Sequence, residues 1–197
     1  LIFIASIVGA TFLILNAKGN PIGQFLTIVF SIMYGIISYR FAYYGEMITY
    51  LGMTMPMACF AFISWLKNPY KDVKSQVKVN KISQKEIFLM FVLTIIVTTI
   101  FYYLLKFLNN ANLLFSTLSI ATSFIAAYLT FRRSSFFALA YACNDIVLII
   151  LWVLASIKDK VYISVVICFI VFLVNDLYGF ISWIKMESSQ NIKNSRC

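Results

Sequence analysis

The chain has 197 residues, 62% of them hydrophobic and only 12% charged, with a formal net charge of +9. A water-soluble domain this apolar lacks polar residues to cover its surface. The positive charge does not point to nucleic acid, because the basic residues sit in short clusters between apolar runs, as in membrane proteins.

Histidine is absent, which removes His-based acid–base catalysis and His metal ligation, so neither a metal centre nor a cofactor is expected. Cys59, Cys143 and Cys168 lie within apolar runs and Cys197 is terminal, with no CxxC pairing and no secreted disulfide framework.

The first apolar run, 1–15, is slightly short for a span, does not start with Met and has no basic n-region or cleavage site. It reads as a truncated first span and not as a signal peptide. The joint Asn16-Ala-Lys-Gly-Asn-Pro21 ends it. A second helix is expected over 22–40, carrying Gln24, Thr27 and Tyr34. A third, over 46–66, carries Glu46 at its start, then Thr49, Thr54 and Pro56. Pro56 removes a backbone donor in mid-span, which fits either a broken helix at a binding site or a tolerated kink. The third helix ends in Phe62-Ile-Ser-Trp-Leu-Lys67. A polar connection, 67–85, leads to helices over 86–107, 112–131, 135–156 and 161–184, with Asn109-Asn110 and Lys158-Asp-Lys160 at the joints. The sixth carries Asn144, Asp145 and Trp152. The seventh carries Asn175, Asp176, Tyr178 and Trp183, and ends in Phe180-Ile-Ser-Trp-Ile-Lys185.

Most of these runs approach the ~20 residues that cross a hydrocarbon core, where only a self-satisfied backbone is stable. The expected fold is an all-α membrane protein of seven transmembrane helices. Lys18, Lys67, Lys71, Lys74, Lys78, Lys81, Lys85, Arg132, Arg133, Lys185, Lys193 and Arg196 fall on one side of these spans. Only Arg40, Lys106, Lys158 and Lys160 fall on the other. The positive-inside rule then places the N-terminus outside and the C-terminus in the cytoplasm.

The two Phe-Ile-Ser-Trp endings lie 118 residues apart and suggest duplication. Two triplets, 1–66 and 112–185, flank a loop and linker helix at 67–111, with a tail at 186–197. A single linking helix restores direction, so this 3+1+3 plan makes the repeats parallel.

Carboxylates inside spans are costly and mark functional interiors. Asp176, Phe180 and Trp183 fall on one helical stripe and Asn175, Tyr178, Gly179 and Ser182 on its neighbour. Asp145 and Trp152 share a face of the sixth helix. With Gln24, Tyr34 and Thr54 they form a candidate substrate site, suited to a flat ring with hydroxyls and a positive charge. Interhelical polar glue is the plainer alternative for each polar residue, and an aromatic belt for Trp65 and Trp183.

The runs Asn144–Trp152, Val174–Trp183, Leu51–Met57 and Phe62–Pro69 resemble the PnuC family of bacterial nicotinamide riboside transporters. Some members carry Trp-x-x-Trp where this chain has Phe62-Ile-Ser-Trp65. The resemblance implies a SWEET-like fold, a homotrimer in the inner membrane, and facilitated diffusion of a vitamin-type nucleoside. In the family, cytoplasmic phosphorylation of the substrate drives uptake, and relatives carry thiamine, riboflavin or deoxynucleosides.

On this reading the ring stacks on Trp152, Trp183 or Tyr178, Asp145 or Asp176 balances its charge, and Asn144, Asn175 and Gln24 bind the ribose. No residue pattern demands ion coupling, so a uniporter with alternating access, feeding NAD synthesis, is the simpler scheme. The expected partners are a small-molecule substrate and membrane lipid. An intramembrane enzyme or a binding protein is the alternative class, but no aspartyl motif surrounds either Asp. A channel lacks its filter loop.

Overall fold

A computed structural model describes residues 2–40, 44–71, 73–110 and 112–194. Seven helices follow in order among them: α1 Ile2–Ala17, α2 Pro21–Arg40, α3 Tyr44–Lys67, α4 Gln84–Phe107, α5 Leu113–Phe131, α6 Phe137–Lys158 and α7 Ile163–Asn194. Six of the seven, α2 to α7, are long and apolar enough to cross a membrane; α1 has 16 residues. Their many exposed Ile, Leu and Phe side chains suit a hydrocarbon solvent. The chain is a multi-pass membrane protein.

Helices α1, α2, α3, α5, α6 and α7 pack in that order into a closed ring, α7 returning to α1. The remaining helix, α4, lies outside the ring on α5. Its Phe101 and Leu105 join Met53, Ile120 and Phe124 in a cluster that seals the α3–α5 seam.

Three elements depart from the expectations of the sequence. First, of the two outcomes open for Pro56, α3 takes the tolerated one and runs on through it, but with a widened turn that the sequence did not announce. A π-helical turn, Tyr50–Thr54, precedes it, in which the Met55 N–H donates to the Tyr50 carbonyl. The wider turn accommodates a residue that has no N–H and crowds the preceding turn. Second, the 67–85 connection holds a small antiparallel hairpin, β1 Pro69–Tyr70 with β2 Val73–Val77, and buries Val77 completely. Third, α7 runs ten residues beyond its expected end at 184, to Asn194. Trp183, Met186 and Gln190, spaced three and four apart, are buried on one face of that extension.

The hairpin ties together the end of the bundle that holds most of the basic residues. The Val77 N–H donates to the Gly19 carbonyl at 2.9 Å in the α1–α2 turn, where Gly19 has φ +67°. Gln190 on α7 accepts from the Val79 N–H at 2.9 Å and donates to the Val77 carbonyl at 3.1 Å. Arg133, after α5, donates to the Lys78 carbonyl at 3.1 Å and to Ser64 Oγ at 2.7 Å. Burial and the neighbouring Arg132 lower the Arg133 pKa. Arg132 itself pairs with Glu86. Glu86 also closes a capping box with Ser83, which starts α4 two residues before the expected position.

Candidate functional site

The ring encloses a cavity of about 170 Å³, space enough for an aromatic ring. Its lower wall begins where α1 ends. Asn16 accepts on Oδ1 from Gln24 Nε2 at 2.9 Å, and its Nδ2 lies 3.4 Å from Thr27 Oγ1. A Cβ on Gly23 would collide with Asn16, so the glycine permits the close α1–α2 approach that seats this amide. Gln24 and Thr27 line the cavity beside it.

Helix α3 contributes the next wall. Its π turn presents Tyr50, Met53 and Thr54 to the cavity, with Glu46 and Thr49 a turn earlier. Phe30 of α2 lines the same wall. Tyr34 stands behind Phe30 and Tyr50, with ring centroids 5.6 and 4.4 Å away. It supports the wall from behind and does not form it.

Helices α6 and α7 complete the cavity. Tyr141, Asn144, Asp145, Leu148 and Leu151 face in from α6, and Phe172, Asn175, Asp176 and Gly179 from α7. Both sets follow the three-and-four spacing of a single helix face. Asn144 Oδ1 accepts from Thr122 Oγ1 at 2.7 Å and from Ser123 Oγ at 3.0 Å. Two hydroxyls on α5 thus fix the amide and leave its NH₂ group for the cavity. Asn144 thus bonds across to α5 and also lines the cavity. Asp145 and Asp176 are both buried and both line the cavity. Asp145 Oδ2 has no partner.

Of the ten candidate site residues, the structure brings Gln24, Thr54, Asn144, Asp145, Asn175 and Asp176 to one cavity. It does not bring Tyr34, Trp152, Tyr178 or Trp183 there. Tyr178 is 58% exposed on the outer flank of α7, because α7 turns the 172, 175, 176, 179 face inward. Trp152 packs on Tyr162 at the far end of α6, with centroids 5.3 Å apart. Leu148 and Leu151 line the cavity on α6, and Trp152, just under two helical turns beyond Asp145, lies past its end.

Trp183 lies one layer below the cavity floor. Its ring meets Trp65 at 5.4 Å and Phe137 at 4.8 Å, and both tryptophans are fully buried. Each indole N–H is satisfied across the ring of helices. Trp65 on α3 donates to the Thr130 carbonyl of α5 at 2.8 Å, and Trp183 on α7 to the Asn16 carbonyl of α1 at 2.9 Å. The twin motif supplies neither belt residues nor cavity walls, but a dry plug.

Several cavity residues were not among the sequence candidates. Asn16 was read only as a helix breaker, Glu46 only as a helix start, and Tyr141 and Ser123 not at all. The spacing Tyr141–Asn144–Asp145–Leu148 is the signal that finds Tyr141. Nothing in the local sequence of Asn16 separates a helix-end breaker from a cavity amide.

Among the described residues three carboxyls line the cavity, Glu46, Asp145 and Asp176, and no Lys or Arg does. Among the described residues there is no cluster able to hold a metal ion. What remains is a chamber of amides, hydroxyls, aromatic edges and three carboxyls. It suits a hydroxylated organic cation and opposes a phosphate.

Comparison with known proteins finds membrane transporters. The family model described as nicotinamide mononucleotide transporter matches residues 1–185. A nicotinamide riboside transporter, PnuC, from Neisseria mucosa is 22% identical over 187 residues, covering 93% of this chain and 71% of the relative. A crystal structure of the vitamin B3 transporter PnuC superposes with a TM-score of 0.77 at 21% identity. It covers 94% of this chain and 81% of the other.

Proposed function

The chain belongs to the nicotinamide mononucleotide transporter family, that of the PnuC transporters, and we propose that it takes up nicotinamide riboside by facilitated diffusion to feed NAD synthesis. The family is one of transporters and not of enzymes. The observation that carries the choice of riboside is the charge of the cavity wall: three carboxyls and no basic side chain. A pyridinium riboside brings one positive charge and hydroxyls. A mononucleotide brings a phosphate of about −1.5 to −2 charge that would face those carboxyls unpaired.

In this reading Asp145 and Asp176 hold the cationic ring, and Asn144, Asn175, Gln24 and Thr54 bind the ribose. Tyr50 and Phe30 offer the aromatic faces that the sequence assigned to Trp152, Tyr178 or Trp183. The triplets 1–66 and 112–185 are the two repeats of a SWEET-like 3+1+3 plan, with 67–111 as loop and linker and 186–197 as tail. The peripheral seat of α4 supports that division. Access alternates by rocking of the triplets about the cavity, as uniport. The basic end faces the cytoplasm of a bacterial inner membrane, the N-terminus lies outside, and the protein works as a homotrimer in lipid.

A thermal-shift panel of nicotinamide riboside, thiamine, riboflavin and a deoxynucleoside on the purified chain tests the ligand. Nicotinamide riboside should stabilise most; stabilisation by another compound and none by the riboside overturns the assignment. Radiolabelled riboside should enter proteoliposomes unchanged and resist an uncoupler. Uptake that collapses with the uncoupler removes uniport.

A further inference from the structure

The cavity wall changes character along the bundle. At the inner wall, Ser123 of α5 donates to Asn144 at 3.0 Å. Ser116 lies about 10 Å further along α5, on the side away from the tryptophan plug, and still lines the cavity. At that level the Asn110 amide donates to Ser116 Oγ at 2.8 Å. Asn110 also presses on α3, for a Cβ on Gly45 would lie 2.6 Å from its Oδ1. The turn between α4 and α5 thus joins the start of α3 to the start of α5, and Glu46, Thr49 and Ser119 line the rim it closes.

The hydroxyls of this rim are acceptors. Thr49 Oγ1 donates its hydrogen to the Gly45 carbonyl at 2.9 Å, and Ser119 Oγ to the Ser116 carbonyl at 2.8 Å. Each keeps lone pairs for a ligand and no hydrogen to offer it. Glu46 adds a carboxyl that pairs with no Lys or Arg among the described residues. Helix α6 runs opposite to α5, so Leu151, about 10 Å past Asn144, stands across the cavity at this depth. Oxygen acceptors facing an apolar side chain suit the N–H groups and charge of an organic cation and give an anion no partner. The inner wall differs, because there the carboxyls stand among the amides of Asn144, Asn175 and Gln24.

We propose that this rim is a second substrate station, with Glu46 holding an organic cation and Thr49 and Ser119 accepting from its N–H or O–H groups. Trp65 and Trp183 close the far end of the cavity, so a ligand comes to Asp145 and Asp176 past Glu46. The cation is held first at the rim and then moves about 10 Å inward, where amides meet its hydroxyls. Selection by charge therefore precedes selection by hydrogen bonding. The proposal rests on the reading of the chamber as the carrier of an organic cation.

Thiol modification of the full chain in detergent tests it. Cys59, Cys143, Cys168 and Cys197 are replaced by Ser, and Ser119→Cys supplies the one thiol. Thr49→Cys is the second reporter should the first fold poorly. The reagents are a trimethylammonium and a sulfonate methanethiosulfonate of similar size, each rate divided by its rate with a free thiol. The cationic reagent should react about tenfold faster than the anionic one. Glu46→Gln should cut that ratio about fivefold, and Asp145→Asn, deeper in the chamber, by about twofold at most. Nicotinamide riboside should slow the modification, and this protection should survive Asp176→Ala, because the rim holds the cation without the inner wall. Protection by thiamine and none by the riboside keeps the station and removes the riboside reading. A ratio that Glu46→Gln leaves unchanged, with the riboside still protecting, keeps the riboside reading and overturns the station. Protection by neither cation, protection lost in Asp176→Ala, or no reaction at either reporter also overturns it.

Discussion

The chamber and the tryptophan layer beneath it are neighbours with opposite chemistry. In the plug, both indole N–H groups have partners, the rings interlock and no solvent reaches them. In the chamber, Asp145 Oδ2 has no hydrogen-bond partner, and three carboxyls line the wall with no Lys or Arg beside them among the described residues. Polar groups with every valence filled hold a bundle together. Groups with valences to spare, buried at some cost, wait for a ligand. The same helices α1, α3, α5 and α7 supply both layers, so the difference lies in pairing and not in the elements.

The comparison breaks most sharply at the plug. Trp65→Ala or Trp183→Ala should cost about 3–5 kcal/mol through lost packing and an orphaned carbonyl. A fall in midpoint temperature and in folded yield would register it, and an unchanged melt would strip the layer of its structural role. In the chamber the stability effect should be far smaller and the effect on binding far larger. Asp176→Ala or Asn175→Ala should weaken substrate binding by at least tenfold while leaving the melt of the free protein within a few degrees. Unchanged affinity in both would make them interhelical glue.

Smaller effects sharpen the boundary between the layers and the basic end. Gln190→Ala unpairs the Val79 N–H and the Val77 carbonyl and should cost about 1–3 kcal/mol, read as faster proteolysis within 68–82. Ser83→Ala removes one arm of the capping box and should cost about 1 kcal/mol, with binding unchanged. Equal protease resistance in Gln190→Ala would mean that the hairpin is held elsewhere.

Much of this was legible in the chain. The apolar runs located the helices, and the paired Asn-Asp dipeptides of α6 and α7 located two thirds of the cavity's acidic wall. A period of 3.6 residues places neighbours on one face reliably, so Asn144, Asp145, Asn175 and Asp176 came to the right place together. The aromatics went astray because spacing orients a side chain around one helix and says nothing of depth along it. Trp183 points inward, as its stripe with Asp176 implied, yet nearly two turns lower it meets Trp65 instead of the chamber. The Ser83–Glu86 box was readable and stood two residues before the expected start. The hairpin was not legible, because two short strands pinned by Gly19, Arg133 and Gln190 owe their existence to partners distant in sequence. Nor was the run of α7 past Lys185, where hydropathy falls but a buried stripe continues.

The two indole hydrogen bonds are mirror errands. The third helix of one triplet reaches the first helix of the other, and the favour is returned with donor and acceptor roles exchanged. On the proposed division into two repeats, the pair of bonds forms a reciprocal clasp between them, each repeat giving one indole donor and one backbone acceptor. Co-expression of 1–66 and 112–197 as separate chains is therefore a direct assay of whether the clasp alone can reunite them.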